Sequence, residues 1–121
     1  MSARGITSIK PSRGLGDTPA RTNIRTGETW INANTWSSIP YYERIYILLH
    51  EEGHVVLKTK DEDQADNYAF GKYVMKGYPL SQSVSAMTRG FTFQTSEHHR
   101  RAFKQLIRAL KWDANINNNP K

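Results

Sequence analysis

The chain has 121 residues, enough for one domain with its own core and too few for a two-lobed architecture. It contains no cysteine, which excludes disulfides and a thiolate metal site. Its net charge is +6, and no apolar run approaches the ~18 residues of a membrane span, so an integral membrane helix is not expected.

Residues 1 to 22, with Pro11, Pro19 and several glycines among Arg and Ser, read as an extended basic N-terminal arm. Arg13-Gly14-Leu15-Gly16-Asp17 lacks the spacing of a phosphate loop. Met1-Ser2-Ala3-Arg4-Gly5 has no hydrophobic signal core, so no signal peptide is expected. The expected location is the cytoplasm or a particle assembled there. A single domain then spans 23 to 114. It opens with a hairpin: Thr22 to Arg25, a turn at Thr26-Gly27-Glu28, and Thr29 to Trp36 alternate as two antiparallel strands. Trp30 and Trp36 sit on the second of these, either covering the core or forming an exposed edge.

Pro40 is placed to open a helix over roughly Tyr41 to Thr59. Ile45 to Leu49 and Val55 to Leu57 put apolar residues around most of its circumference, the pattern of a helix buried in the core. Within it lies His50-Glu51-Glu52-Gly53-His54, the HExxH arrangement of zinc hydrolases. Side chains at i and i+4 share a helix face, so both imidazoles can reach one metal while Glu51 projects beside it. Buried histidines and glutamates are costly unless paired or bound to a cation. Zn2+ would answer that cost.

Catalytic zinc usually takes three protein ligands and leaves a position open, so a third ligand should follow. Glu62-Asp63-Gln64-Ala65-Asp66 offers one, on a second helix ending near Lys76-Gly77. At 100° per residue Asp66, Ala69 and Tyr73 fall within about 40° of Glu62, on the apolar stripe. Ala65 and Ala69 are small enough for close helix approach, and Thr59 or Asp61 can cap the helix. Asp61, Asp63 and Asp66 are the alternative carboxylate ligands. A short third helix is expected from Pro79 through Met87, closed by Gly90. The last runs from Ser96 to about Trp112, with His99, Phe103, Leu106, Ile107 and Leu110 on its inner face and residues 115 to 121 as a frayed tail.

HExxH followed by ExxxD resembles the gluzincin clan of zinc metallopeptidases. The segment from about Thr26 to Pro79 is most similar to its small members, the minigluzincins and the ImmA/IrrE-like peptidases of phage and mobile elements. The resemblance implies an α+β fold, with a small antiparallel sheet or hairpin packed on a helical core. It also implies one zinc held by His50, His54 and Glu62, with Asp66 orienting a ligand histidine, His50 in the first instance. Glu51 would be the general base for peptide-bond hydrolysis in a protein or peptide substrate. The strand before the HExxH helix, Trp30 to Trp36, would be the edge lying antiparallel to bound peptide. Gluzincins often stabilise the oxyanion with a His, Tyr or Arg; His99 and Tyr73 are the candidates, with Tyr68 and Arg89 as competitors. Only seven residues separate His54 from Glu62, a shorter gap than in many gluzincins.

Seven of the eleven acids fall between Glu43 and Asp66, leaving both ends of the chain basic. Such patches suit nucleic acid or an acidic protein, although no nucleic-acid motif accompanies them. The alternative to a peptidase is therefore an inactive zinc-binding or basic nucleic-acid-associated module of a phage or mobile element.

Overall fold

The computed structural model describes residues 5–89 and 96–118, with the backbone alone at 88–89, 96, 98–99 and 114–118. It is an α+β fold in which a three-stranded mixed sheet precedes four helices. The strands are β1 (Ser8–Ser12), β2 (Ala20–Thr22) and β3 (Glu28–Asn32), in the order β1-β3-β2. The expected hairpin forms between β2 and β3, with Arg21 opposite Trp30 and Thr22 opposite Thr29. It is set earlier in the chain than the alternation suggested. Asn23 Oδ1 accepts from the amides of Arg25 and Thr26, which turns residues 24 to 26 out of the ladder, while the Asn23 amide still donates to the Glu28 carbonyl. Gly27, at φ 83°, closes the turn against Gly5, whose carbonyl oxygen lies 2.7 Å from where a Cβ would project.

Three features depart from expectation. Part of the presumed arm is built into the sheet, because β1 pairs in parallel with β3; the sheet is mixed and the ordered domain begins well before residue 23. Trp30 to Trp36 is not an edge strand. β3 is the central strand and stops at Asn32, whose Oδ1 accepts the Asn34 amide and turns the chain, placing Trp36 in a single 3-10 turn (Trp36–Ser38). Among the described residues, the unpaired edge beside the helices belongs to β2. Asn32 Nδ2 also donates to the carbonyls of Gly16 and Thr18, both at 2.9 Å, so the loop before β2 is pinned to the sheet.

The helices are α1 (Tyr41–Leu57), α2 (Glu62–Met75), α3 (Leu80–Arg89) and α4 (Ser96–Asn118). α1 lies between the sheet and the other helices: Ile47 packs with Ala20 and Ile39, whereas Tyr46 joins Ala69, Phe70, Tyr73, Val74, Met87 and Ala109 in the main core. Gly53 lets α2 approach closely, since a Cβ there would meet Tyr68 Cδ2 at 3.0 Å and the Ala65 carbonyl oxygen at 3.1 Å. No helix among the described residues is long and apolar enough to cross a membrane.

α4 presents the opposite face from the one its apolar residues indicate. Arg101, Gln105 and Ala109 point inward, while Phe103, Leu106 and Leu110 are exposed. Polar partners explain the rotation: Arg101 binds Asp66, and Gln105 donates to the carbonyl of Ser83. The backbone of α4 is helical through Asn118, so the expected fraying from residue 115 is not seen there; residues 119 to 121 lie outside the described ones.

Candidate metal centre

Two local devices bring Glu62 to the histidines across only seven intervening residues. α1 ends when Lys58 enters the left-handed region at φ 51°, ψ 50°, and the Thr59 amide bonds back to the His54 carbonyl. Asp61 then caps α2, accepting from the amides of Asp63 and Gln64. The first residue of α2 thereby sits over the last turn of α1.

His50 and His54 lie one turn apart with their rings nearly perpendicular, centroids 4.7 Å apart. Their Nε2 atoms are 3.1 Å from each other, and Glu62 Oε1 lies 2.9 Å from His50 Nε2 and 3.1 Å from His54 Nε2. The outward nitrogens are both held. His54 Nδ1 donates to the Thr59 carbonyl at 2.7 Å, and His50 Nδ1 lies 2.8 Å from Asp66 Oδ1. A carbonyl only accepts, so Nδ1 of His54 carries the proton and its Nε2 lone pair points inward. With Asp66 fixing His50 likewise, two nitrogen lone pairs and a carboxylate oxygen converge on one point.

That convergence is the test of fit for a metal. Three lone pairs about 3 Å apart repel unless a cation lies among them. Ligands ~2.0–2.1 Å from a tetrahedral zinc would stand roughly 3.3 Å apart, close to the spacing present. Without a metal a proton takes this role. Burial opposes charge on His50, but the carboxylates of Asp66 and Glu62 outweigh it and hold its pKa at about 9. His54 is likewise raised, with burial opposing and Glu62 and the Thr59 carbonyl prevailing. Burial would raise Glu62, yet the two histidines pull it well below the usual carboxylate range.

Glu51 is buried beside this trio, and burial pushes its carboxyl upward against the pull of the histidines. It lines a cleft of about 520 Å³ that also exposes His50, His54 and Glu62, walled by residues 18–22 of the β2 strand and the loop before it. The N-terminal segment thus forms one side of the cleft.

Arg101 is the functional candidate that sequence reasoning missed. Its Nε and Nη2 clamp Asp66 at 2.9 and 3.0 Å, Nη2 stands 3.8 Å from Glu62, and the side chain borders the cleft. In the sequence it is one of a run of cations, and nothing marks it as buried. Tyr46 also lines the cleft; burial and Asp66 push its hydroxyl pKa upward, so it remains a hydrogen-bond donor. Tyr73 is placed elsewhere. It shares the face of Asp66 but lies two turns, about 10 Å, further along α2, fully buried and donating to the Pro79 carbonyl at 2.8 Å. Tyr68 bonds Glu52 on another side of α1. The side chains of His99 and Arg89 lie outside the described ones. Asp61 serves as the helix cap, and Asp63 pairs with Arg100 and Lys104.

Compared with protein-family models, curated proteins and solved structures, the chain matches none.

Proposed function

We propose that the protein is a zinc-dependent metallopeptidase of gluzincin type, acting on protein or peptide substrates as an endopeptidase. The observation that carries this reading is the convergence of His50 Nε2, His54 Nε2 and Glu62 Oε1 within about 3 Å, with the outward histidine nitrogens already engaged. A dedicated hydrogen bond to each outward nitrogen is the arrangement that holds ligand histidines in the metal-binding tautomer.

His50, His54 and Glu62 would hold the ion, which when bound supplies Lewis acidity that acidifies water and polarises a carbonyl. The chain's own residues do the rest. Glu51 accepts a proton from the attacking water and returns it to the leaving nitrogen, a role served by a carboxyl whose pKa burial has raised above its ordinary value. Asp66 keeps the His50 ring oriented, and Arg101 keeps Asp66 ionised and in place. The cleft beside β2 accepts the substrate, and the free edge of that strand leaves backbone groups available to an extended peptide.

The test is Glu51→Gln in protein loaded with one equivalent of zinc, assayed on unfolded protein substrates. The reading expects zinc retained and cleavage reduced by at least 100-fold. Cleavage surviving unchanged would remove Glu51 from the chemistry.

A further inference from the structure

The sheet has a second face that meets the metal cleft at Arg21, while Trp30 and Lys10 are not among the residues lining it. Lys10 of β1 pairs with Trp30 of β3, and Trp30 pairs with Arg21 of β2, so the three side chains form one row across the sheet. Ala20 and Ile31 face the other way: Ala20 is buried with Ile39 and Ile47 against α1. The row therefore lies on the sheet face opposite Ala20, with Arg21 at the β2 edge also bordering the cleft. Lys10 and Arg21 are exposed, and Trp30, partly buried, packs in neither hydrophobic cluster.

We propose that this face binds single-stranded nucleic acid, with a base stacked on Trp30 and its two flanking phosphates met by Lys10 and Arg21. The chemistry of the row matches the chemistry of that ligand: a nucleotide within a strand is a planar π system with an anion on either side. The row is an indole with a cation on either side, spanning about 10 Å at the spacing of neighbouring strands. Arg21 has no ion-pair or hydrogen-bond partner among the described residues, and Lys10 meets only Glu28 at 4.0 Å, an exposed pair of little strength. The charge setting agrees: residues 1 to 40 hold five bases against two acids, whereas the acids of the chain concentrate around the metal centre. An acidic peptide would satisfy the cations but leave the indole without a stacking partner. The inference does not require a bound metal, although Arg21 also borders the metal cleft.

Fluorescence anisotropy of a labelled 20-nucleotide oligothymidylate with the full chain tests it. Binding is expected at 50 mM salt, and Trp30→Ala should weaken it roughly 5- to 150-fold while Trp30→Phe keeps most of the affinity. In the Lys10→Glu/Arg21→Glu variant, whose changes lie at exposed positions, the slope of log K against log salt should flatten by about 1.4 for two lost phosphate contacts. If Trp30→Ala does not fold, judged by circular dichroism, the charge variant and Trp30→Phe decide. The proposal is overturned by absence of binding at 50 mM salt, or by folded Trp30→Ala binding as the wild type does. It is also overturned by a salt slope that the charge variant leaves unchanged. Duplex DNA or polyglutamate competing as well as the single strand would assign the face to anions in general and overturn it too.

Discussion

Asp66 Oδ1 lies 2.8 Å from His50 Nδ1, and the same carboxylate, fully buried, is clamped on its other side by Arg101. One acid on α2 thus fixes a histidine on α1 and is fixed by an arginine on α4. Asp66→Asn is expected to lower metal affinity by about 10- to 100-fold, read by competition with a chromophoric chelator. An unchanged affinity would mean that His50 is oriented by packing alone.

Removing the clamp should cost stability as well as positioning. In Arg101→Met, Asp66 loses a buried ionic partner and keeps only His50. Breaking such a pair costs about 3–5 kcal/mol, so the metal-free variant is expected to unfold at markedly lower urea concentration. Metal binding, which depends on His50, should recover part of that loss.

The pH dependence of the metal-free protein has a defined sign. Folding raises the pKa of His50 from 6.5 to about 9, so its stabilising contribution is complete below pH 6.5 and disappears as pH rises to 9. His54 shifts in the same direction. Melting temperature in the presence of chelator should therefore fall across that window. Metal must displace the His50 proton, so zinc affinity should rise over the same range, and the gap between zinc-loaded and metal-free melting temperatures should widen. A gap that narrows would contradict the assigned ligands.

Gly53 provides a steric test of the α1–α2 approach. Alanine would gain up to about 1 kcal/mol of helix propensity at this position. Its Cβ would stand 3.0–3.1 Å from Tyr68 and the Ala65 carbonyl, an overpacking that costs about 1–3 kcal/mol. The net expectation for Gly53→Ala is a lower melting temperature and weaker metal binding, because Glu62 rides on α2.

Much of the site is legible in the sequence because it is local. Helical periodicity puts His50 and His54 on one face and Glu62 with Asp66 on one face of the next helix, whereas the choice of Glu62 over the neighbouring aspartates as third ligand, and of Asp66 to orient His50, comes from the resemblance to gluzincins. The short gap between them is bridged by a left-handed Lys58, which a β-carbon ordinarily disfavours and which no residue type announces. What sequence periodicity misplaces depends on distant partners. β1 pairs with β3 only through a parallel crossover, so Ser8–Ser12 has no local signature. On α4 the apolar stripe Phe103, Leu106 and Leu110 reads as a core face, yet Arg101 and Gln105 occupy the interior because Asp66 and Ser83 are there to receive them. Tyr73 falls on the right face of α2 but at the wrong height, since angular position says nothing of distance along the axis.

That rotation of α4 gives its own prediction. Leu106→Gln, at an exposed position, should change stability by no more than about 0.5 kcal/mol. Ala109→Leu, at a buried one, should destabilise by about 1–3 kcal/mol. Chemical denaturation of the two variants distinguishes the faces; the reverse order would place the apolar stripe inside.

The most direct measurement is the metal content of the purified protein by mass spectrometry of the elements, alongside His50→Ala, His54→Ala and Glu62→Ala. The account predicts one zinc per chain in the wild type, and a large loss in each variant while circular dichroism still reports folded helices. Wild-type protein that remains metal-free after incubation with equimolar zinc, or that binds zinc as well without Glu62 as with it, would contradict the account.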